Sequence, residues 1–111
     1  FEVISLLVNA GVAPEKAVNI LQKSSGRNYA TEITLPENIL SGKLYQGFCM
    51  ELMQKDAGIA LAIASDIEQT MPFSEIAFDG LQQAIEEHGA KSDMSLLALS
   101  YETKTGARIR P

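Results

Sequence analysis

Tryptophan is absent from this sequence, cysteine and histidine occur once each, and only seven of 111 residues are aromatic. Each scarcity excludes something. A lone thiol, Cys49, cannot close an internal disulfide, so the fold must rest on an apolar core, and the sequence reads as one made for a reducing compartment, the cytoplasm. Cys49 sits in an apolar stretch with no base and orienter near it in sequence, so it reads as a core residue rather than a nucleophile. The one histidine, His88, follows Glu86 and Glu87 at an expected helix end. Three consecutive residues point in different directions around a helix, which argues against a metal site.

No apolar run approaches the roughly 20 residues that cross a bilayer, and the opening Phe1-Glu2-Val3-Ile4-Ser5 has no basic region of a signal peptide. Positive charge is also scarce. The net charge is −5, and Lys104, Arg108 and Arg110 hold three of the nine basic residues. Residues 1–103 therefore carry six basic against fourteen acidic residues, a net −8. Such a body repels a phosphate backbone, so neither nucleic acid nor membrane is an expected partner.

What is present is an ordinary soluble composition, 46% hydrophobic and 21% charged, in a chain long enough for a real core. The periodicity is helical throughout. Val3, Leu6, Leu7 and Ala10 recur at helical spacing, with Gly11 as a left-handed stop. The chain opens on this pattern with no capping Ser, Thr, Asp or Asn, as if inside a longer protein. Pro14 suits the first position of a second helix, with Ala17, Val18, Ile20 and Leu21 on its apolar face. Ser24-Ser25-Gly26-Arg27 is a turn; an anion site there is the weaker reading. A short helix through Tyr29, Ala30 and Ile33 is predicted to end near Pro36, with a loop over 36–47. A long helix follows from about Met50 to Gln69, with Leu52, Met53, Ile59, Ala60, Ile63, Ala64 and Ile67 as its buried stripe. Pro72 opens another helix that ends near His88-Gly89, and Asp93 is the expected N-cap of the last. No alternating run predicts a strand. The expectation is all-α, five to six helices over 1–103 without a sheet, followed by a flexible basic tail over 104–111.

One carboxylate stands out. Leu52 and Met53 precede Asp56 by one helical turn, and Ile59 and Ala60 follow it by one, so Asp56 shares the face of the apolar stripe. A buried carboxylate needs a donor or a proton. The structural reading is a helix-capping group, with neighbouring Lys55 paired to Glu51 four residues back. Gly58 inside the helix costs about 1 kcal/mol relative to Ala, and a close neighbour, helix or ligand, would explain it.

These residues also form a pattern. Ser24-Ser25-Gly26-Arg27-Asn28, Gly47-Phe48, Glu51-Leu52-Met53-Gln54-Lys55-Asp56, Ala60-Leu61 and Pro72 together resemble the C-terminal domain of the 3-hydroxyisobutyrate dehydrogenase family. These β-hydroxyacid dehydrogenases are related to 6-phosphogluconate dehydrogenase. The resemblance runs from about Glu2 to Leu99 and departs at Asn28-Tyr29, where relatives often have Ser-Trp. It implies a helical domain that works beside a nucleotide-binding half, in an enzyme moving hydride between NAD or NADP and a small 3-hydroxyacid or its semialdehyde or keto form. By that resemblance Lys55 reaches the cofactor near the nicotinamide, Phe48 lies close to nicotinamide and substrate, and Asp56 supports the catalytic groups. It also implies association into a homodimer or higher oligomer. The family's Gly-x-Gly-x-x-Gly turn is not in this chain, and its catalytic lysine and substrate-binding asparagine are expected upstream of Phe1. The isolated chain is accordingly expected to be inactive. A stand-alone helical dimerisation or interaction module is the alternative that the residues leave open.

Overall fold

The computed structural model describes all 111 residues. Five α-helices follow one another: α1 (Glu2–Asn9), α2 (Pro14–Gln22), α3 (Met50–Asp66), α4 (Pro72–His88) and α5 (Leu97–Thr105). A π-helix, Ala30–Leu40, lies between α2 and α3, and a short 3-10 turn, Met94–Leu96, leads into α5. There is no strand; one isolated antiparallel bridge joins Cys49 and Asp93. The all-α expectation is met, and no helix is long and apolar enough to cross a membrane.

The chain divides into two compact units, one of residues 1–46 with 95–111 and one of residues 47–94. In the first, Ile4, Ala17, Val18, Leu35, Ile39, Ala98 and Ile109 form a buried cluster. Its turns obey the local signals. Gly11 has φ +87°, and the Gly11 and Val12 N–H groups close back on Val8 and Leu7 carbonyls at 2.9 Å, a Schellman end that only glycine adopts without strain. Pro14 occupies the first turn of α2, where its missing N–H has no helical partner in any residue. After the predicted Ser24–Arg27 turn, Asn28 and Thr31 cap each other. The Thr31 N–H donates to Asn28 Oδ1 at 3.1 Å, and the Asn28 N–H to Thr31 Oγ1 at 2.9 Å.

Two expectations fail in this unit. The helix after Asn28 does not end at Pro36; it runs through it to Leu40 as a π-helix. Proline clashes with the carbonyl four residues back in an α-helix, and the wider i→i+5 coil relieves that crowding. Leu35 and Ile39, at 4% and 0% exposure, supply the apolar contact that holds the coil down. Nor do residues 104–111 form a loose tail. α5 continues to Thr105, Gly106 turns in the left-handed region at φ +71°, and Ala107 and Ile109 are buried at 2% and 1% exposure. Two apolar residues among basic ones gave too weak a period to register.

In the second unit α3 packs on α4. Met50, Ala64, Leu81 and Ala84 are buried. Pro72 opens α4, and Gly89 ends it at φ +94°. The neighbour expected of Gly58 is α4: a Cβ at Gly58 would stand 3.2 Å from Phe78 Cε2.

The expected buried stripe of α3 is largely the wrong one. Leu52, Ile59, Ile63 and Ile67 are 41% to 65% exposed, whereas Met50 and Ala64 are buried and Ala57 and Leu61 half-buried. At 100° per residue the two sets lie about 135° apart around the helix. α3 is apolar on both, and the smaller side chains face α4 because they let the two backbones approach.

Candidate cofactor-facing site

Phe48 is half-buried and stands two residues ahead of α3, just after Gly47 at φ +89°. Lys55 and Asp56 follow on the second turn of α3. Their side chains are 59% and 56% exposed and paired, Lys55 Nζ to Asp56 Oδ1 at 2.8 Å. Asp56 does lie on the apolar stripe of Leu52, Ile59 and Ile63, as its spacing requires, but that stripe is open, so the expectation of a buried carboxylate is corrected. Its donor is the adjacent ammonium. A pair this exposed contributes little to stability, about 0–1 kcal/mol, and neither group is needed to hold the fold.

Lys55 does not pair with Glu51. The Glu51 carboxylate is taken by Lys91, whose ammonium it holds above the ordinary lysine range through their hydrogen bond. Lys91 belongs to a segment that sequence reading missed. Residues 90–94 run back along the entry to α3. The Met50 N–H donates to Ser92 O at 2.9 Å and the Glu51 N–H to Ala90 O at 3.1 Å. These are first-turn donors without helical partners, and Cys49, at the N-cap, makes no side-chain cap bond. Asp93 directly precedes the 3-10 turn Met94–Leu96 that runs into α5, at the head of the last helical run as expected, but it has a longer reach as well. Its carboxylate accepts the Gly47 N–H at 2.7 Å, 46 residues away. No spacing rule links positions so far apart, so only the tertiary structure could reveal this.

The Lys55–Asp56 pair presents a cation and a carboxylate beside the exposed aliphatic side chains of Leu52, Ile59 and Ile63, while Phe48 stands half-buried ahead of the helix. The site has no cradle of backbone N–H groups for a pyrophosphate, and no group of three or more His, Cys, Asp or Glu could hold a metal ion. The remaining candidates stay structural. Cys49 Sγ lies 3.9 Å from Glu51 Oε1, and His88 Nε2 lies 3.7 Å from Glu87.

A helical chain with a Lys-Asp pair on an open apolar face is a class of domain, and comparison with known proteins places it. Residues 1–101 match the model of the family described as "NAD-binding of NADP-dependent 3-hydroxyisobutyrate dehydrogenase", and the chain belongs to that family. It is 32% identical over 108 residues to 2-(hydroxymethyl)glutarate dehydrogenase of Eubacterium barkeri, covering 97% of this chain and 36% of that protein. It is 31% identical over 96 residues to a 3-hydroxyisobutyrate dehydrogenase of Pseudomonas aeruginosa, covering 78% and 32%. An NAD-dependent L-serine dehydrogenase of the same organism is 27% identical over 111 residues, covering 95% and 37%. The chain spans about a third of the length of these curated relatives.

Proposed function

We propose that this chain is the helical C-terminal domain of an NAD(P)-dependent oxidoreductase acting on a small 3-hydroxyacid or on its semialdehyde or keto form. The observation that carries the reading is the exposed Lys55–Asp56 pair. Two charged side chains stand among Leu52, Ile59 and Ile63 where water, rather than protein, covers them. The relatives are named as dehydrogenases of hydroxyacids, and their extra length leaves room for a nucleotide-binding half.

When bound, the nicotinamide cofactor accepts or donates the hydride. This chain's residues bind and orient. Lys55 presents its ammonium to the cofactor near its nicotinamide end. Phe48 offers an apolar ring at the same end of α3. Asp56 holds the Lys55 ammonium in place by their 2.8 Å contact and supports the catalytic groups, while Leu52 and Ile59 flank the pair with apolar surface for a bound cofactor to cover. The proton on the substrate hydroxyl is handled by a lysine outside this chain, so the isolated domain is inactive and most cofactor contacts lie in the other half.

Leu52, Ile59 and Ile63 of α3, and separately Phe73 and Ile76 of α4 at 87% and 70% exposure, are uncovered apolar side chains that support a second reading alongside the first. Exposed apolar side chains in this number favour burial against a partner, and association into a homodimer or larger oligomer would cover them. The experiment is a hydride-transfer assay by nicotinamide absorbance. It uses a panel of small 3-hydroxyacids with NAD and with NADP, on the 111-residue chain and on a polypeptide carrying the nucleotide-binding half. Activity in the longer protein alone is expected. Inactivity of both, with self-association by light scattering, would favour a helical interaction module instead.

A further inference from the structure

The strongest unassigned feature is the grip on the turn that leads into α3. Gly47 sits at φ +89°, a conformation that side-chain-bearing residues rarely adopt, and its N–H donates to Asp93 Oδ2 at 2.7 Å. One residue on, the Phe48 carbonyl accepts the Met94 N–H at 2.8 Å. Phe48 is thus held by its backbone on both sides. The bond at Phe48, like those at Met50 and Glu51, comes from the main chain of residues 90–94. The Asp93 bond is the side-chain contact to the turn itself, and it is charge-assisted.

We propose that Asp93 is a positioning residue: its carboxylate fixes the Gly47 turn and thereby sets the direction in which Phe48 leaves the backbone. The inference rests on the reading of Phe48 as a cofactor-facing residue. Gly47 is exposed, so water replaces the lost acceptor when Asp93 is truncated. The loss of this bond therefore falls on order at the turn, and the melting temperatures of the Asp93 variants report any part that falls on folding. α3 keeps its start, because Met50 and Glu51 still donate to Ser92 and Ala90 carbonyls. Lys55 and Asp56, a turn further on, keep their place.

The test combines two measurements. Amide hydrogen exchange at Gly47 is read by NMR on the 111-residue chain. Cofactor KM and kcat are read on the polypeptide that carries the nucleotide-binding half, for Asp93→Ala, Asp93→Asn and Phe48→Ala. Asp93→Ala is expected to speed exchange at Gly47 and to raise cofactor KM by roughly three- to tenfold, the size of one exposed charge-assisted hydrogen bond, with kcat within about twofold. Asp93→Asn keeps an acceptor oxygen and is expected to restore most of both. Phe48→Ala should raise KM at least as much. If Phe48→Ala raises KM and Asp93→Ala does not, Asp93 positions nothing and the proposal fails. If Phe48→Ala leaves KM unchanged, the reading of Phe48 fails instead. Equal losses of kcat and melting temperature in both Asp93 variants would mark a fold-holding residue and also overturn the proposal.

Discussion

Removing the Glu102 carboxylate should detach the end of the chain from the first unit. Glu102 lies on α5 with its side chain only 10% exposed. Its Oε1 accepts the N–H groups of Ile109 at 2.9 Å and Arg110 at 3.0 Å, and its Oε2 accepts Arg110 Nε at 2.8 Å. Glu102→Ala leaves those two backbone donors unpaired beside a buried Ile109, while the Arg110 guanidinium, at 34% exposure, can turn to water. Hydrogen bonds to charged groups are worth about 1.5–3 kcal/mol and an unpaired donor costs about 1–3 kcal/mol, so a net loss of about 2–3 kcal/mol is expected. That compares with the whole burial of Ile109, about 1.5–3 kcal/mol, so undocking residues 107–111 becomes competitive with keeping them. Burial pushes the Glu102 carboxyl up, but the Arg110 N–H, the Arg110 guanidinium and the Ile109 N–H outweigh it and hold the group below its ordinary value of 4.5. A carboxylate with a depressed folded value stabilises fully above the unfolded value and loses that contribution as pH falls through the folded one. Wild-type stability should therefore fall below about pH 4.5, and Glu102→Gln should show a shallower acid limb. Urea unfolding followed by circular dichroism, with amide exchange at Ile109 and Arg110, reads both effects. A loss under about 0.5 kcal/mol in Glu102→Ala with Ile109 still protected would refute the reasoning.

Three further substitutions separate the effects described above. Ser5 is 1% exposed and its Oγ has no hydrogen-bond partner, so Ser5→Ala should stabilise the chain by about 1 kcal/mol in chemical denaturation. Glu68 stands at φ +56° at the end of α3, with its N–H on Ser65 O and that of Gln69 on Ala64 O, a Schellman end with a side chain where glycine is favoured. Glu68→Gly should raise the melting temperature, by relief of about 0.5–1 kcal/mol. Asp56→Ala should change stability by no more than about 0.5 kcal/mol, because the side chain is exposed, yet lower turnover strongly in the polypeptide carrying the nucleotide-binding half. Undiminished turnover in that variant would remove Asp56 from the site.

Local chemistry makes much of the fold legible from residue type alone. Gly11, Pro14, Pro72 and Gly89 mark helix ends through properties of a single residue, a missing Cβ or a missing N–H, and each acts where its sequence position says. Pro36 carries the same signal and misleads, because the π-coil around it is stabilised by Leu35 and Ile39 packing, which no local rule contains. Asp93 shows a similar limit. It stands at the head of the last helical run, as its residue type suggests, and its bond to Gly47 exists only because the two meet across the entry to α3.

By itself the sequence determined that the chain is helical, where most of its helices begin and end, and that Lys55 and Asp56 stand together on α3 amid aliphatic residues. Those are consequences of residue type and of a period of 3.6. Only the tertiary structure decided which of two apolar faces of α3 is covered. Periodicity reports that a face is apolar and not what lies against it. Packing on α4 uses the face with Ala57, Leu61 and Ala64, and so leaves Leu52, Asp56, Ile59 and Ile63 open to a ligand or a partner.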